Sequence, residues 1–320
     1  MLKLGPRQIP LPATISDAAR NALNAPWPTN SYPPLDDPEA WRVMIAERDA
    51  EVMTMARELM AGLVPGVRSE LGGAIVYRAS AMAPTPDDRR IYLDFHGGGL
   101  ILLGGEPCGL MASMAAMTVS APVVSVDYRM PPDHPYPAAI DDGVAVYRAL
   151  LADHAPGDIV VGGLSAGGNI AAATVLRARD EGLPLPAGLV LLSPEIDLTE
   201  SGDSFETLMG IDRIVRFTEP NALYAAGAAL DDPYVSPLFG DFTKGFPPTF
   251  LQSGTRDLFL SNTVLMHRAL RRAGVAAELH VFEAMTHGGF QGAPEDVEVA
   301  AEQRAFAERC WVAAGSPVKP

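Results

Sequence analysis

A serine framed by glycines and a histidine leading three more glycines are the residues best placed to do chemistry in this chain. Gly163-Leu164-Ser165-Ala166-Gly167 has the G-x-S-x-G form. It reads as a strained strand-to-helix turn that pushes a serine hydroxyl into a cleft. His96-Gly97-Gly98-Gly99 lies about seventy residues earlier, a glycine backbone able to aim N–H groups at a developing negative oxygen. Taken singly, each match is weak. In a chain with 30 glycines, a G-x-S-x-G can arise by chance, and a glycine run suits any loop after a strand. Together, in this order and each after an apolar run, they point to acyl transfer through a nucleophilic serine.

A serine hydroxyl is a weak nucleophile until a base takes its proton, so Ser165 needs a histidine within hydrogen-bond reach. The chain has six histidines: His96, His134, His154, His267, His280 and His287. His96 belongs to the glycine loop, His154 and His267 fall in helical stretches, and His280 sits inside a strand-like run where packing explains it. His287 differs, because it follows the last strand-like run in Ala284-Met285-Thr286-His287-Gly288-Gly289-Phe290. That makes it the expected base, with the chain order serine, acid, histidine. The acid that orients the imidazole must lie between them. Asp257 follows the penultimate strand-like run and is preferred. Asp197, at the end of the strand before, is its competitor, and for either the plain reading is a loop or helix-capping aspartate.

These residues need a scaffold that brings loop ends together. Strand-like runs at 73–79, 90–95, 123–128, 159–162, 188–192, 249–252 and 278–282 alternate with helical patterns at 111–120, 138–151, 168–179, 261–273 and 295–313. This rhythm predicts an α/β fold with a mostly parallel, doubly wound sheet. Residues 1–37 are proline-rich and read as an irregular arm. Over 38–63 a helix is expected, with Trp41, Met44, Ile45, Met53, Met55, Leu59 and Met60 on its apolar positions; packing on the core explains them, though the methionines also suit a pocket wall. Residues 199–246 break the rhythm with two helix-like pieces at 205–210 and 219–230. The expected organisation is an arm and cap helix over 1–70 and a catalytic domain over 71–320, with a cap insertion at about 199–246.

Bulk properties narrow the function. The chain has 320 residues, 24 Lys+Arg against 39 Asp+Glu and a formal net charge of −15. So acidic a protein is repelled by phosphate backbones and anionic membranes, which argues against nucleic-acid or membrane partners. Two cysteines, Cys108 and Cys310, suit a reducing compartment rather than a disulfide framework. The N-terminal residues lack the apolar stretch of a signal peptide, and no run is long enough to span a bilayer. The expected location is the cytoplasm. The chain lacks H-E-x-x-H and any dense histidine-aspartate cluster, so neither a metal nor an organic cofactor is expected.

With these motifs in view, the chain resembles the hormone-sensitive-lipase family of α/β-hydrolases, which includes many bacterial carboxylesterases. The resemblance runs from about residue 91 to 290. It rests on His96–Gly99, Asp127-Tyr128-Arg129 with Pro132-Asp133-His134-Pro135-Tyr136-Pro137-Ala138-Ala139, and Gly163–Gly168. It continues through Ser193-Pro194, Ser236-Pro237-Leu238, Gly254-Thr255-Arg256-Asp257 and His287-Gly288-Gly289-Phe290. The resemblance implies Ser165 as nucleophile, His287 as base and Asp257 as acid, with oxyanion N–H donors from Gly98, Gly99 and Ala166. It also implies a cap built from the N-terminal region and the segment after Asp197. Two positions depart from the family pattern. Leu164 stands where Asp or Thr is usual before the nucleophile, and Glu195 follows Ser193-Pro194 where an aromatic residue is common. A surface ion pair of Glu195 with Arg129 or Arg256 is the expectation there.

The activity this implies is hydrolysis of short- to medium-chain carboxylic esters, with a small-molecule ester or lactone as partner. Lactone opening by the same triad is the alternative, since 254–290 is also similar to monoterpene lactone hydrolases. A non-catalytic receptor on the same fold is a third reading, disfavoured because serine, histidine, acid and glycine loop are all present. No membrane-seeking amphipathic lid is evident. The last strand, if it lies at the sheet edge, offers a surface for a homodimer.

Overall fold

The computed structural model describes residues 5, 8–25, 31–59, 62–81 and 88–315. The N-terminal residues on which the signal-peptide reading rests, and Met60 of the expected 38–63 helix, lie outside them. Eight strands form one sheet: β1 (Val67–Leu71), β2 (Ala74–Ala79), β3 (Ile91–Phe95), β4 (Val123–Val126), β5 (Ile159–Leu164), β6 (Gly188–Leu192), β7 (Thr249–Gly254) and β8 (Ala277–Phe282). Their order is β1-β2-β4-β3-β5-β6-β7-β8. β2 runs antiparallel to both β1 and β4, and all other pairs are parallel. The fold is that of an α/β hydrolase, as expected.

The central strands show why the sheet lies inside. β3, β4 and β7 are buried at every position, their few polar residues included, because helices cover both faces of the sheet. Nine helices are seen among the described residues: α1 (Asp17–Leu23), α2 (Pro38–Leu59), α3 (Glu106–Val119), α4 (Ala138–Leu150), α5 (Ala166–Asp180), α6 (Ser204–Thr207), α7 (Thr218–Ala225), α8 (Leu260–Arg272) and α9 (Pro294–Ala313). Ile140, Val144, Ile170, Val175 and Met266 of α4, α5 and α8 pack on one face of the sheet. Cys108, Ala112, Phe306 and Trp311 of α3 and α9 pack on the other. The two cysteines are separate buried thiols. No helix among the described residues is long and apolar enough to cross a membrane.

Four local readings change. β1 was not expected, and α1 lies within the region read as an irregular arm. Its seven residues start at a Ser16 N-cap whose hydroxyl also donates to Glu295 of α9 at 2.8 Å. His154 lies in the turn after α4 rather than in a helix, with Nδ1 3.0 Å from the Arg89 carbonyl. The helix-like pieces of 199–246 are shorter than expected, at Ser204–Thr207 and Thr218–Ala225.

Candidate active site

Ser165 sits between β5 and α5 with φ 58° and ψ −122°. A non-glycine residue held there stores backbone strain, and the surrounding packing must over-determine it. Two glycines make that packing possible. A Cβ on Gly163 would lie 2.3 Å from the Gly167 backbone, and one on Gly167 would lie 1.9 Å from the Phe95 carbonyl oxygen. The G-x-S-x-G spacing is thus the steric condition for a helix to start directly beneath β3 and β5. Ser165 is 4% exposed, and its hydroxyl faces the cleft.

His287, in the loop after β8, brings Nε2 to 2.9 Å from Ser165 Oγ. On its other side Nδ1 is 3.3 Å from Asp257 Oδ1. Asp257, in the loop after β7, is fully buried. It accepts from the Ser253 hydroxyl at 2.8 Å and from the Phe259 amide at 2.9 Å. Burial works against its charge, but the bond to His287, the imidazole's charge and the other donors prevail and hold the carboxyl below its usual range. Burial likewise pulls the imidazole down. The adjoining Asp257 and the nearby Asp212 outweigh it, so His287 titrates above the ordinary histidine value. The Phe259 ring meets the imidazole edge-on at 4.9 Å. The structure therefore brings Ser165, His287 and Asp257 together. Asp197 stays apart: it accepts from the Thr199 amide and hydroxyl and the Ser201 hydroxyl at 2.5–3.0 Å.

The glycine loop lies against the same serine. Gly98 has φ +120° and Gly99 φ +59°, and the Ile101 and Leu102 amides close the turn onto the Gly98 carbonyl. Ala166 opens α5, directly after Ser165, so its N–H has no intrahelical acceptor. His96 lies behind the loop, stacked on Tyr128 at 4.1 Å, and the Tyr128 hydroxyl donates to the His96 carbonyl at 2.8 Å. His96, Cys108 and Asp127 are the group of side chains among the described residues that could together hold a metal ion, with ligand atoms within 4.8 Å. Asp127 accepts from the Gly105 amide at 2.9 Å and Cys108 Sγ lies 3.5 Å from the Ser125 hydroxyl. These bonds tie the start of α3 to β4 and the residue after it.

A pocket of about 500 Å³ opens over Ser165 and His287. Its walls include Val52 and Met55 of α2, and Ile214, Phe217 and Pro220 from the segment between β6 and β7. Met53 instead packs with Ala56 and Leu110, so the α2 methionines divide between core and pocket. Leu164 also lines this pocket, which accounts for its apolar character beside the serine. Glu195 does not make a surface ion pair. It is 1% exposed, while Arg129 binds Asp142 at 2.8 Å and Arg256 reaches the Pro10 carbonyl at 3.0 Å. Burial first, and then Glu200, push the Glu195 carboxyl well above its usual range. His280 behaves as a packed histidine, stacked on Phe250 and 2.7 Å from Glu302.

One residue of this region carries no signal in the sequence. Asp212, 1% exposed, accepts from the His287 amide at 2.9 Å and from the Leu258 amide at 2.6 Å. Its partners are 75 and 46 residues away, so no local pattern betrays it.

Known proteins agree with this architecture. A family model described as the alpha/beta hydrolase fold matches residues 92–291. An acetyl-hydrolase of Streptomyces hygroscopicus is 32% identical over 213 residues, 65% of this chain and 71% of the relative. An esterase of Acinetobacter venetianus is 35% identical over 201 residues, 60% of this chain and 66% of the relative. A solved esterase superposes with a TM-score of 0.89 at 37% identity, covering 97% of this chain and 98% of its own. A solved esterase from the bacterial hormone-sensitive lipase family gives a TM-score of 0.74 at 29% identity, with coverage of 92% and 96%. By fold, motif order and these likenesses, the chain belongs to the α/β-hydrolase family, in its hormone-sensitive-lipase branch.

Proposed function

We propose that this protein is a serine carboxylesterase that hydrolyses short- to medium-chain carboxylic esters through an acyl-enzyme. The observation that carries the reading is the 2.9 Å contact between Ser165 Oγ and His287 Nε2, backed by buried Asp257 on the opposite ring nitrogen. His287 takes the Ser165 proton as Oγ attacks the ester carbonyl, and Asp257 fixes the tautomer and supports the imidazolium. The Gly98, Gly99 and Ala166 amides stabilise the tetrahedral oxyanion. Each such donor is worth about 2.7–4 kcal/mol of barrier. The imidazolium then protonates the leaving alcohol. Water, deprotonated by His287, attacks the acyl group, and Ser165 recovers its proton as the acid departs.

In this reading α2 and the segment 199–246 form the cap. Their apolar residues Val52, Met55, Ile214 and Phe217 border the pocket, which favours a short aliphatic acyl chain over a charged one. The relatives named as esterases and an acetyl-hydrolase support the same substrate class. Hydrolysis of p-nitrophenyl acetate and butyrate by the wild type and by Ser165→Ala tests the proposal. Turnover is expected in the wild type and not in the variant. Turnover that survives the substitution refutes the nucleophile, and an inert wild type refutes the substrate class.

A further inference from the structure

Asp212 comes from the segment between β6 and β7, yet its carboxylate is committed to the two loops that carry the acid and the base. Oδ1 accepts from the His287 amide at 2.9 Å and from its neighbour Arg213 at 2.6 Å, while Oδ2 accepts from the Leu258 amide at 2.6 Å. Leu258 directly follows Asp257. One side chain therefore holds the main chain next to the acid and at the base itself. The Arg213 guanidinium turns away to the Ala22 carbonyl, so backbone amides hold this buried charge. Burying a carboxylate in this way is costly unless its donors are well placed.

We infer that Asp212 is a positioning residue for the reaction: from the cap segment it clamps both catalytic loops and sets the imidazole of His287 between Asp257 and Ser165. The inference rests on reading Ser165, His287 and Asp257 as the triad. Two consequences follow from the geometry. Removal of the carboxylate loosens the imidazole without emptying the substrate pocket, so kcat falls more than KM rises. Removal of its charge also withdraws support from the protonated ring, because Asp212 adds to Asp257 in holding His287 above its ordinary value. The charged groups facing Asp212 are Asp257 and His287 on the two loops and Arg213 beside it. Asp296, at the start of α9, acts on Arg213. Among the groups that face Asp212 itself, only Asp257 shares its sign.

The test compares Asp212→Asn and Asp212→Glu with the wild type on p-nitrophenyl butyrate across pH 5–9. Asparagine keeps the shape but turns an NH₂ toward a main-chain N–H. For it, kcat is expected to fall by about 10- to 100-fold with KM within about threefold, and the acidic limb of kcat/KM to move down by about half a pH unit. Glutamate keeps the charge in a displaced position, so kcat falls while the limb stays. A limb unmoved in Asp212→Asn, or a loss of rate that follows only a loss of folded protein, overturns the inference. Should that variant not fold, the wild type decides: in ¹H–¹⁵N spectra the Leu258 and His287 amide protons are expected to shift together, with a midpoint distinct from that of the His287 ring. Amides that follow the ring alone overturn it. Ser165→Ala separates the two levels. If it is inactive while both Asp212 variants match the wild type, only the clamp fails; if it is active, the triad itself fails.

Discussion

Replacing Gly98 by alanine should damage catalysis far more than the same change one residue later. At Gly98 the backbone has φ +120°, and a Cβ would lie 2.2 Å from the Leu102 carbonyl oxygen. That oxygen is main chain, in a turn closed by the Ile101 and Leu102 amides on the Gly98 carbonyl at 3.2 and 3.0 Å. It has no soft direction in which to move. Forcing alanine into this region costs about 1–3 kcal/mol, and each turn bond lost on relaxation adds about 0.5–1.5 kcal/mol. The loop therefore reorients, and in the proposed mechanism the Gly98 amide loses its aim at the oxyanion. One misplaced donor corresponds to about 100- to 1,000-fold in kcat. Gly99 differs: φ is +59°, and a Cβ there would touch only the Phe217 ring at 3.7–3.9 Å. Alanine tolerates that backbone for about 1–2 kcal/mol, so Gly99→Ala should stay within about tenfold of wild type. The assay is kcat on p-nitrophenyl butyrate, at a temperature where circular dichroism shows both variants folded. A Gly98→Ala enzyme with near-normal kcat, or two variants equally impaired, refutes the reasoning.

Three further outcomes are expected. Because Asp257 and Asp212 hold His287 above the ordinary imidazole value of about 6.5, kcat/KM should decline as pH falls through a midpoint above that value; a midpoint well below it contradicts the assignment of the base. Glu195 is a buried carboxyl whose folded-state value is raised, so unfolding releases its proton and stability drops as pH rises above the unfolded value, with a limiting slope of about 1.4 kcal/mol per pH unit. Glu195→Gln should therefore raise Tm more at pH 8 than at pH 5, and an equal or inverted difference excludes the buried neutral acid. Phe217→Ala removes a pocket wall that also packs on Phe259; KM for the butyrate ester should rise by about tenfold with a smaller change in kcat, and an unchanged KM places the acyl chain elsewhere.

The parallel core was legible because its strands are short runs rich in β-branched and aromatic residues between turn residues, and the motif glycines sit where a strand must meet a helix at close range. β1 escaped notice because Val67-Arg68-Ser69-Glu70-Leu71 is an edge strand with Val67 72% exposed; its pairing with β2 is decided by the sheet, not by its own residues. α1 is a seven-residue helix, too short to show a period. The three catalytic candidates were readable from their position after particular strands. Asp212 was not, since its meaning lies in two amides distant in sequence. Glu195 was misjudged for a related reason: a charged residue in a loop ordinarily faces water, and only the tertiary structure buries it.

The central claim is that Ser165 is the nucleophile, and covalent capture tests it most directly. The wild-type protein is incubated with diethyl p-nitrophenyl phosphate, followed by intact mass measurement and peptide mapping. The account predicts a single diethylphosphoryl group on Ser165 with parallel loss of esterase activity, and no adduct on Ser165→Ala. An adduct on another residue that accompanies the loss of activity, or an unmodified Ser165 in an inactivated enzyme, would contradict it.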